Sequence, residues 1–513
     1  MDFNTLLFPC FFAVCAVLYY LLPSPVRPWL LLAASYAFYC YAPNNRALVA
    51  LLVGATVITW ACGLAMGRLR SRWARRAFLA LSCVCCLGIL FYFKYYNFFA
   101  QILAAVTAGS VSLALRSVIA PLGLSYFTFQ SLGYAIDCYR GKYPPEKNPL
   151  KYALFVSFFP CIFTGPIERA DHLLPQLFGP QRPRFDYDTA AGGAFRMLWG
   201  YCKKMVLADH LAVFVRAYYA GTVAASGPAQ ALAAVLFSLQ LYFDFSGCCD
   251  IAIGGARLFG IRLLENFDNP FLSVSYGELW RRWHKSLNNW FRDYLYIPLG
   301  GSRCPPGRWA LNFLLVFVLS GLWHGAAAGY FWWGLLCGVL VLAERLPQKL
   351  RQAAARAPAG RHAAPAAASP SQPARPAKKE PAPLRRRAGA FAVRWLRRGL
   401  VFCEFSFCFI LFAAALYGAD VSLQPLFTLF TGWTAANFRL LGASLAALDL
   451  TGTLPWMLAG GSVLVFAVES RGDVAAWIRR QVFPLRWLLY FALGAALLFF
   501  GVYGQSNFIY QLY

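Results

Sequence analysis

The chain is a succession of apolar runs joined by loops too short to hold a soluble domain of ordinary size. A spanning helix needs about 20 mostly apolar residues. Stretches of that kind fall at roughly 5–22, 28–42, 46–66, 77–93, 112–134, 152–167, 191–217, 229–255, 309–343, 399–418, 421–445, 454–469 and 485–503. The expected fold is therefore all-α and integral to a membrane, with roughly 10–13 transmembrane or re-entrant helices. Composition agrees: 59% of residues are hydrophobic and 13% charged, against about 45–50% and about 25% in soluble domains. The run at 5–22 follows Met1–Asn4 with no positive n-region and lacks a small-residue cleavage site, so it reads as a retained span.

A formal net charge of +26 would suggest nucleic acid in a soluble protein. Here the excess sits in short loops and one insertion, as the positive-inside rule requires, and no nucleic-acid partner is expected. The Arg68–Arg76 loop is the strongest early marker and is expected in the cytoplasm. Three spans precede it, which puts the N-terminus outside a plasma (inner) membrane. Residues 349–398 are rich in Ala, Pro and Arg and hold 13 Lys or Arg against the single acid Glu380. They read as a disordered cytoplasmic insertion between a membrane part at 1–348 and further membrane helices at 399–513. Most of the 16 cysteines lie in apolar segments and read as small buried hydrophobes, so no metal site is expected.

Two stretches break the plain membrane pattern. Over Tyr276–Arg303, Trp280, Trp283, Leu287, Trp290, Phe291 and Tyr294 recur at helical spacing. Arg281, Arg282, Lys285, Asn288, Asn289 and Arg292 fall on the opposite side, which predicts one amphipathic helix with a cationic and amide face for an anionic ligand. His284 lies at the border of the two faces. The competing reading is a helix that lies on the membrane with its cations towards headgroups. The second stretch, 309–343, would be about 50 Å long as one helix, against a hydrocarbon core of about 30 Å. A break is expected among Gly321, Gly325, Ala326–Ala328 and Gly329, and it contains His324. Counted from Arg308, His324 lies about 20 Å deep. An ionisable residue at that depth is a functional candidate by default, although a histidine hydrogen-bonded to a carbonyl would also fit. Asp244 and Asp250 sit in another apolar run and need partners; Arg257, Arg262 or a cation of the Trp280 helix could serve, in a structural role.

These residues resemble the membrane-bound O-acyltransferase family. The resemblance rests on WRRWHKSLNNWFRDYLYIPLGGSR at Trp280–Arg303 and GLWHGA at Gly321–Ala326, which includes Trp323. Supporting segments are Pro121–Asp137, Phe159–Ile167, Gly200–Asp209, Tyr242–Gly254 and Phe508–Tyr510. The branch it is most similar to is the bacterial alginate O-acetylases, with teichoic acid D-alanyl transfer proteins as cousins. The resemblance implies a ring of membrane helices around a thinned centre, with His324 and His284 catalytic. It further implies that Arg281, Arg282, Lys285, Asn288, Asn289 and Arg292 hold the donor or its carrier. Trp280, Trp283, Trp323, Asp244 and Asp250 would support the site. No tightly bound cofactor is implied; the donor would be acetyl-CoA or an acyl-carrier thioester. The acceptor would be a polysaccharide, and a secreted or membrane-anchored outer-face acetyltransferase would be the partner. D-alanyl transfer to teichoic acid, a transporter or flippase, and a non-catalytic scaffold for a secreted transferase are the other readings.

Overall fold

A computed structural model describes residues 7–41, 45–117, 120–162, 164–179, 184–356, 384–418 and 423–504. Among the described residues the chain is helical without strands, and seven helices are long and apolar enough to cross a membrane. The chain is a multi-pass membrane protein.

The centre is the 32-residue helix Gly227–Leu258, buried along most of its surface. A helix apolar all round belongs in a core. The Tyr187–Tyr201 helix runs against it along four small residues spaced seven apart. A Cβ on Gly193 would stand 2.7 Å from Gly254 O, and one on Gly200 would stand 2.5 Å from Gly247 O. Only glycine permits that approach, the usual device by which helices associate in lipid. The Tyr187–Tyr201 helix continues through a π-helical stretch, Cys202–Ala208, into Asp209–Tyr219. The π-turn carries Lys203 and Lys204, and the close seam delivers both to the carboxylates of the central helix.

Several expected spans differ. The 112–134 candidate is irregular at 112–117, and its helix, Leu124–Arg140, begins only after Gly123. Gly123 has φ +69°, and a Cβ there would meet Ile162 O at 2.2 Å. The 152–167 candidate divides into Pro149–Ser157 and Phe159–Ile162, and 421–445 into Gln424–Thr428 and Ala435–Ala447. In the other direction, 77–93 lengthens: Arg72–Leu90 passes through a π-turn, Phe91–Tyr95, into Tyr96–Val106.

The 309–343 run is broken where its small residues suggested. Pro306–His324 ends at Gly325, whose backbone is extended, and Ala328–Arg356 begins three residues later. The two helices pack closely: a Cβ on Gly321 would lie 2.3 Å from Tyr330 O, and one on Gly334 would lie 2.6 Å from Phe317 O. Of the expected 349–398 insertion, the described parts are helical, to Arg356 and again from Leu384. The remainder, 357–383, lies outside the described residues, as do His362 and Phe508–Tyr510.

The predicted single helix over Tyr276–Arg303 is absent. Tyr276–Arg282 and Lys285–Phe291 are separate short helices, followed by a π-turn at Arg292–Tyr296. Their apolar residues consequently enter two cores. Trp280 and Trp283 pack with Phe405 and Phe409, whereas Leu287, Trp290 and Phe291 pack with Phe129 and Trp323.

Candidate active site

The break between the two short helices falls on His284. This residue occupies the left-handed region at φ 44°, ψ 54°, which costs a non-glycine residue on the order of 1–3 kcal/mol. Neighbouring bonds hold it there. The 266–268 segment lies along the break: Lys285 N donates to Asn266 O at 2.9 Å and Asp268 N donates to Arg282 O at 3.0 Å. Ser286 N donates to Asn266 Oδ1 at 3.1 Å, and Ser286 Oγ accepts from Ile167 N at 3.0 Å. Asn288 Nδ2 donates to the carbonyls of Trp280 and Trp283, both at 2.6 Å. These are the orphan acceptors at the end of the first helix.

The imidazole of His284 is fully enclosed. Its Nδ1 lies 3.3 Å from Asn266 Oδ1, and its ring meets Phe245 edge-on at 4.7 Å. Burial pushes its pKa down to about 3, so the ring is neutral at physiological pH. On its other side stands the Trp323 indole, 6.0 Å away between centroids.

His324 is the last residue of Pro306–His324 and is also buried. Its ring is boxed by Trp323 at 4.9 Å, Phe412 at 5.2 Å and Trp333 at 5.3 Å. The Trp323 indole therefore touches both histidines, and two residues 40 positions apart share one aromatic chamber. The buried polar atoms of the chamber wall are those of the two imidazoles and the indole nitrogens of Trp323 and Trp333.

The end of the His324 helix is fastened from outside. Lys94 Nζ donates to Trp323 O at 2.5 Å and lies 5.7 Å from the Trp323 ring centroid. Tyr95 donates its hydroxyl hydrogen to Leu322 O at 2.8 Å. Both belong to the Phe91–Tyr95 π-turn, a local widening common at functional sites. Neither residue was singled out from the sequence. The signal was present, since Lys94 is the only charged residue between Ala77 and Val106.

The other site candidates disperse. Arg282 pairs with Glu278 at 2.6 Å, Arg292 pairs with Asp293 at 2.8 Å, and Arg281 and Asn289 are exposed. Lys285 lines a polar cavity of about 350 Å³ together with Asn266, Asp250 and Glu469. The single cationic face predicted from the sequence does not exist, because the break at His284 rotates the second helix relative to the first.

Asp244 and Asp250 are paired, but not with the partners expected. Asp244 accepts from Lys204 at 2.5 Å, and Lys204 also holds Asp209 at 2.8 Å. Asp250 meets Arg196 at 2.8 Å and Lys203 at 2.5 Å. Lys203 also reaches Glu469 at 2.7 Å. Arg257 instead binds Asp473, and Arg262 makes no ion pair among the described residues. Arg257 stands seven residues, about 10.5 Å of helix axis, beyond Asp250, so the cations of the neighbouring helix are the nearer partners.

Comparison with known proteins identifies the family. Residues 142–368 match the family model for the membrane-bound O-acyltransferase family. The chain is 40% identical over 346 residues to the probable alginate O-acetylase AlgI of Pseudomonas aeruginosa, covering 67% of this chain and 65% of that protein. To the peptidoglycan O-acetyltransferase of Helicobacter pylori it is 33% identical over 374 residues, covering 67% and 70%. The teichoic acid D-alanyltransferase of Bacillus subtilis is 30% identical over 238 residues, covering 44% and 59%. The chain thus spans 65% of the length of the alginate relative. With two buried histidines at one chamber and matches of this extent, the chain belongs to the membrane-bound O-acyltransferase family.

Proposed function

We propose that the protein passes an acetyl group from a cytoplasmic thioester, acetyl-CoA or an acylated carrier, across the plasma membrane for O-acetylation of an extracellular or cell-wall polysaccharide. The observation that carries this reading is the chamber at Trp323, where His324 and His284 meet within an aromatic enclosure. A thioester is already activated, so the site needs a base for the acceptor and shelter from water. In this reading His324 takes the proton of a hydroxyl on an intermediate acceptor that carries the acetyl group to the outer face. The alkoxide oxygen bonds to the acetyl carbonyl carbon, the C–S bond breaks, and the thiolate leaves to receive a proton. His284, held by Asn266, orients the reacting groups. Arg281 and Lys285, the two cations of the original set outside the Arg282 and Arg292 pairs, bind donor phosphates at the cytoplasmic face.

A secreted or membrane-anchored acetyltransferase completes transfer to the polymer. The N-terminus lies outside, with the Arg68–Arg76 loop and the 357–383 segment in the cytoplasm. Acetyl is preferred to D-alanyl because the relatives named as O-acetylases align over a larger share of the chain than those named for D-alanyl transfer.

The test is His324→Ala in membranes supplied with acetyl-labelled donor, with polymer label and thiol release both followed. Loss of general-base help predicts a fall of about 10²–10⁴-fold in both, with protein level and melting temperature preserved. Unchanged label and thiol release would remove the reading. Transport of donor or polymer without thiol release would favour a carrier instead.

A further inference from the structure

Away from the histidine chamber, the helices Asp209–Tyr219, Gly227–Leu258, Leu384–Leu416, Ala435–Ala447 and Leu454–Glu469 enclose a cavity of about 1210 Å³. That exceeds the range of about 300–1,000 Å³ usual for small-molecule sites. One complete face of the Leu454–Glu469 helix and its cap lines it, from Leu454 through Leu458, Ser462 and Phe466 to Ser470. At 1.5 Å per residue this face is about 24 Å long, close to the hydrocarbon thickness of a bilayer, about 30 Å. The opposite walls, among them Phe214, Leu236 and Phe402, are apolar as well.

The two ends differ. One is closed by Leu232, Leu445 and Leu450. The other carries Arg398, half-buried, and Trp395. Arg398 Nε donates to Leu272 O at 3.0 Å, and its guanidinium lies over the Trp395 ring at 4.7 Å. It makes no ion pair among the described residues. A guanidinium carries five N–H donors in a fixed fork, so a cation fixed in this way still has donors for a phosphate. The rim residue Val463 is 68% exposed, which opens the cavity sideways. A ligand would enter from the lipid phase.

An apolar shaft nearly as long as a leaflet pair, with one fixed cation and an indole at its mouth, matches an amphiphile with an anionic head and long hydrocarbon chains. We propose that this cavity binds one anionic phospholipid of the bilayer, with its phosphate on Arg398 and its acyl chains along the Leu454–Glu469 helix. The lipid fills a space that would otherwise separate that helix from the central one, and so supports the helix whose last residue, Glu469, binds Lys203.

The full chain, purified in mild detergent and stripped of lipid, would be titrated with phosphatidylglycerol or phosphatidylcholine of identical chains and read by native mass spectrometry. Phosphatidylglycerol is expected to be retained at least about fivefold better, the scale of one basic residue acting on an anionic headgroup. Arg398→Gln is expected to abolish the preference, and Ala459→Trp, which fills the shaft, to abolish retention of both lipids. Should Ala459→Trp fail to fold, Val463→Trp at the exposed rim tests the same point. An unchanged preference in Arg398→Gln, or wild-type retention in the filled variants, would overturn the proposal. So would displacement of the phospholipid by the chain-free headgroup glycerophosphoglycerol or by a polyprenyl phosphate. None of these readouts depends on acetyl transfer.

Discussion

His324 is useful only if its ring is aimed, and a helix terminus is a poor mounting. The last four carbonyls of a helix lack intrahelical partners, and the final turn frays unless something binds them. Lys94 and Tyr95 supply that binding to Trp323 O and Leu322 O. A cation at this end also suits the helix dipole. Lys94 is therefore a positioning residue, acting on His324 through the backbone that carries it. A hydrogen bond from a charged donor contributes about 1.5–3 kcal/mol. If that is spent on alignment, Lys94→Met lowers the acetyl-transfer kcat by about 10–100-fold and leaves KM within about twofold. Steady-state kinetics on protein of verified melting temperature checks this, with Lys94→Arg as the partial rescue. Equal kcat in Lys94→Met and wild type would show that Lys94 only fills space.

At the scale of elements, the hairpin of Pro306–His324 and Ala328–Arg356 fixes the depth of the chamber. Its seam of Gly321 and Gly334 allows backbone to approach backbone, and Gly338 makes room for the Phe317 and Leu314 side chains. Gly334→Val would drive a branched side chain into Phe317 O and is expected to destabilise the protein by about 1–3 kcal/mol through overpacking. A thermal melt in detergent should register the drop, whereas Gly442→Val, where a Cβ meets open space, should leave the melting temperature nearly unchanged. This hairpin was legible in the sequence, because an apolar run too long for one crossing and interrupted by glycines has few other solutions. The Trp280 region was not. Its apolar spacing fits an unbroken helix, and the break at His284 is imposed by Asn266 and Ile167, residues remote in the chain. Asn288 looked like a ligand-binding amide on that helix and is instead the cap of the broken end. Periodicity reports which residues are buried; it carries no information about a tertiary bond that interrupts the period. Asp244 and Asp250 show the same limit, since their burial announced a need for cations without saying that Arg196, Lys203 and Lys204 would meet it.

Over the whole molecule, the buried charges form a ledger between two consecutive helical stretches. Arg196, Lys203 and Lys204 stand on 187–219 with Asp209, and Asp244 and Asp250 stand on Gly227–Leu258. Three cations thus face three carboxylates within a single helical hairpin, before Glu469 is synthesised. Each such charge alone at the centre of a bilayer helix costs about 2.5–3.5 kcal/mol on insertion scales. The first stretch, which is not among the seven helices apolar enough to cross a membrane, by itself holds a surplus of positive charge. A consequence for biogenesis follows: these neighbours are expected to leave the translocon as a pair, already neutralised, instead of one after the other. Fused on their own to a secreted carrier, residues 187–222 should remain extractable from membranes by alkali, residues 187–260 should resist extraction, and Asp250→Asn should return the longer segment towards the behaviour of the shorter. Integration of the shorter chain as firmly as the longer would show that the two are admitted independently. If only the longer segment resists extraction, the glycine seam that lets Gly193 and Gly200 touch Gly254 and Gly247 is the clasp of an insertion unit, made before the C-terminal half of the chain is synthesised.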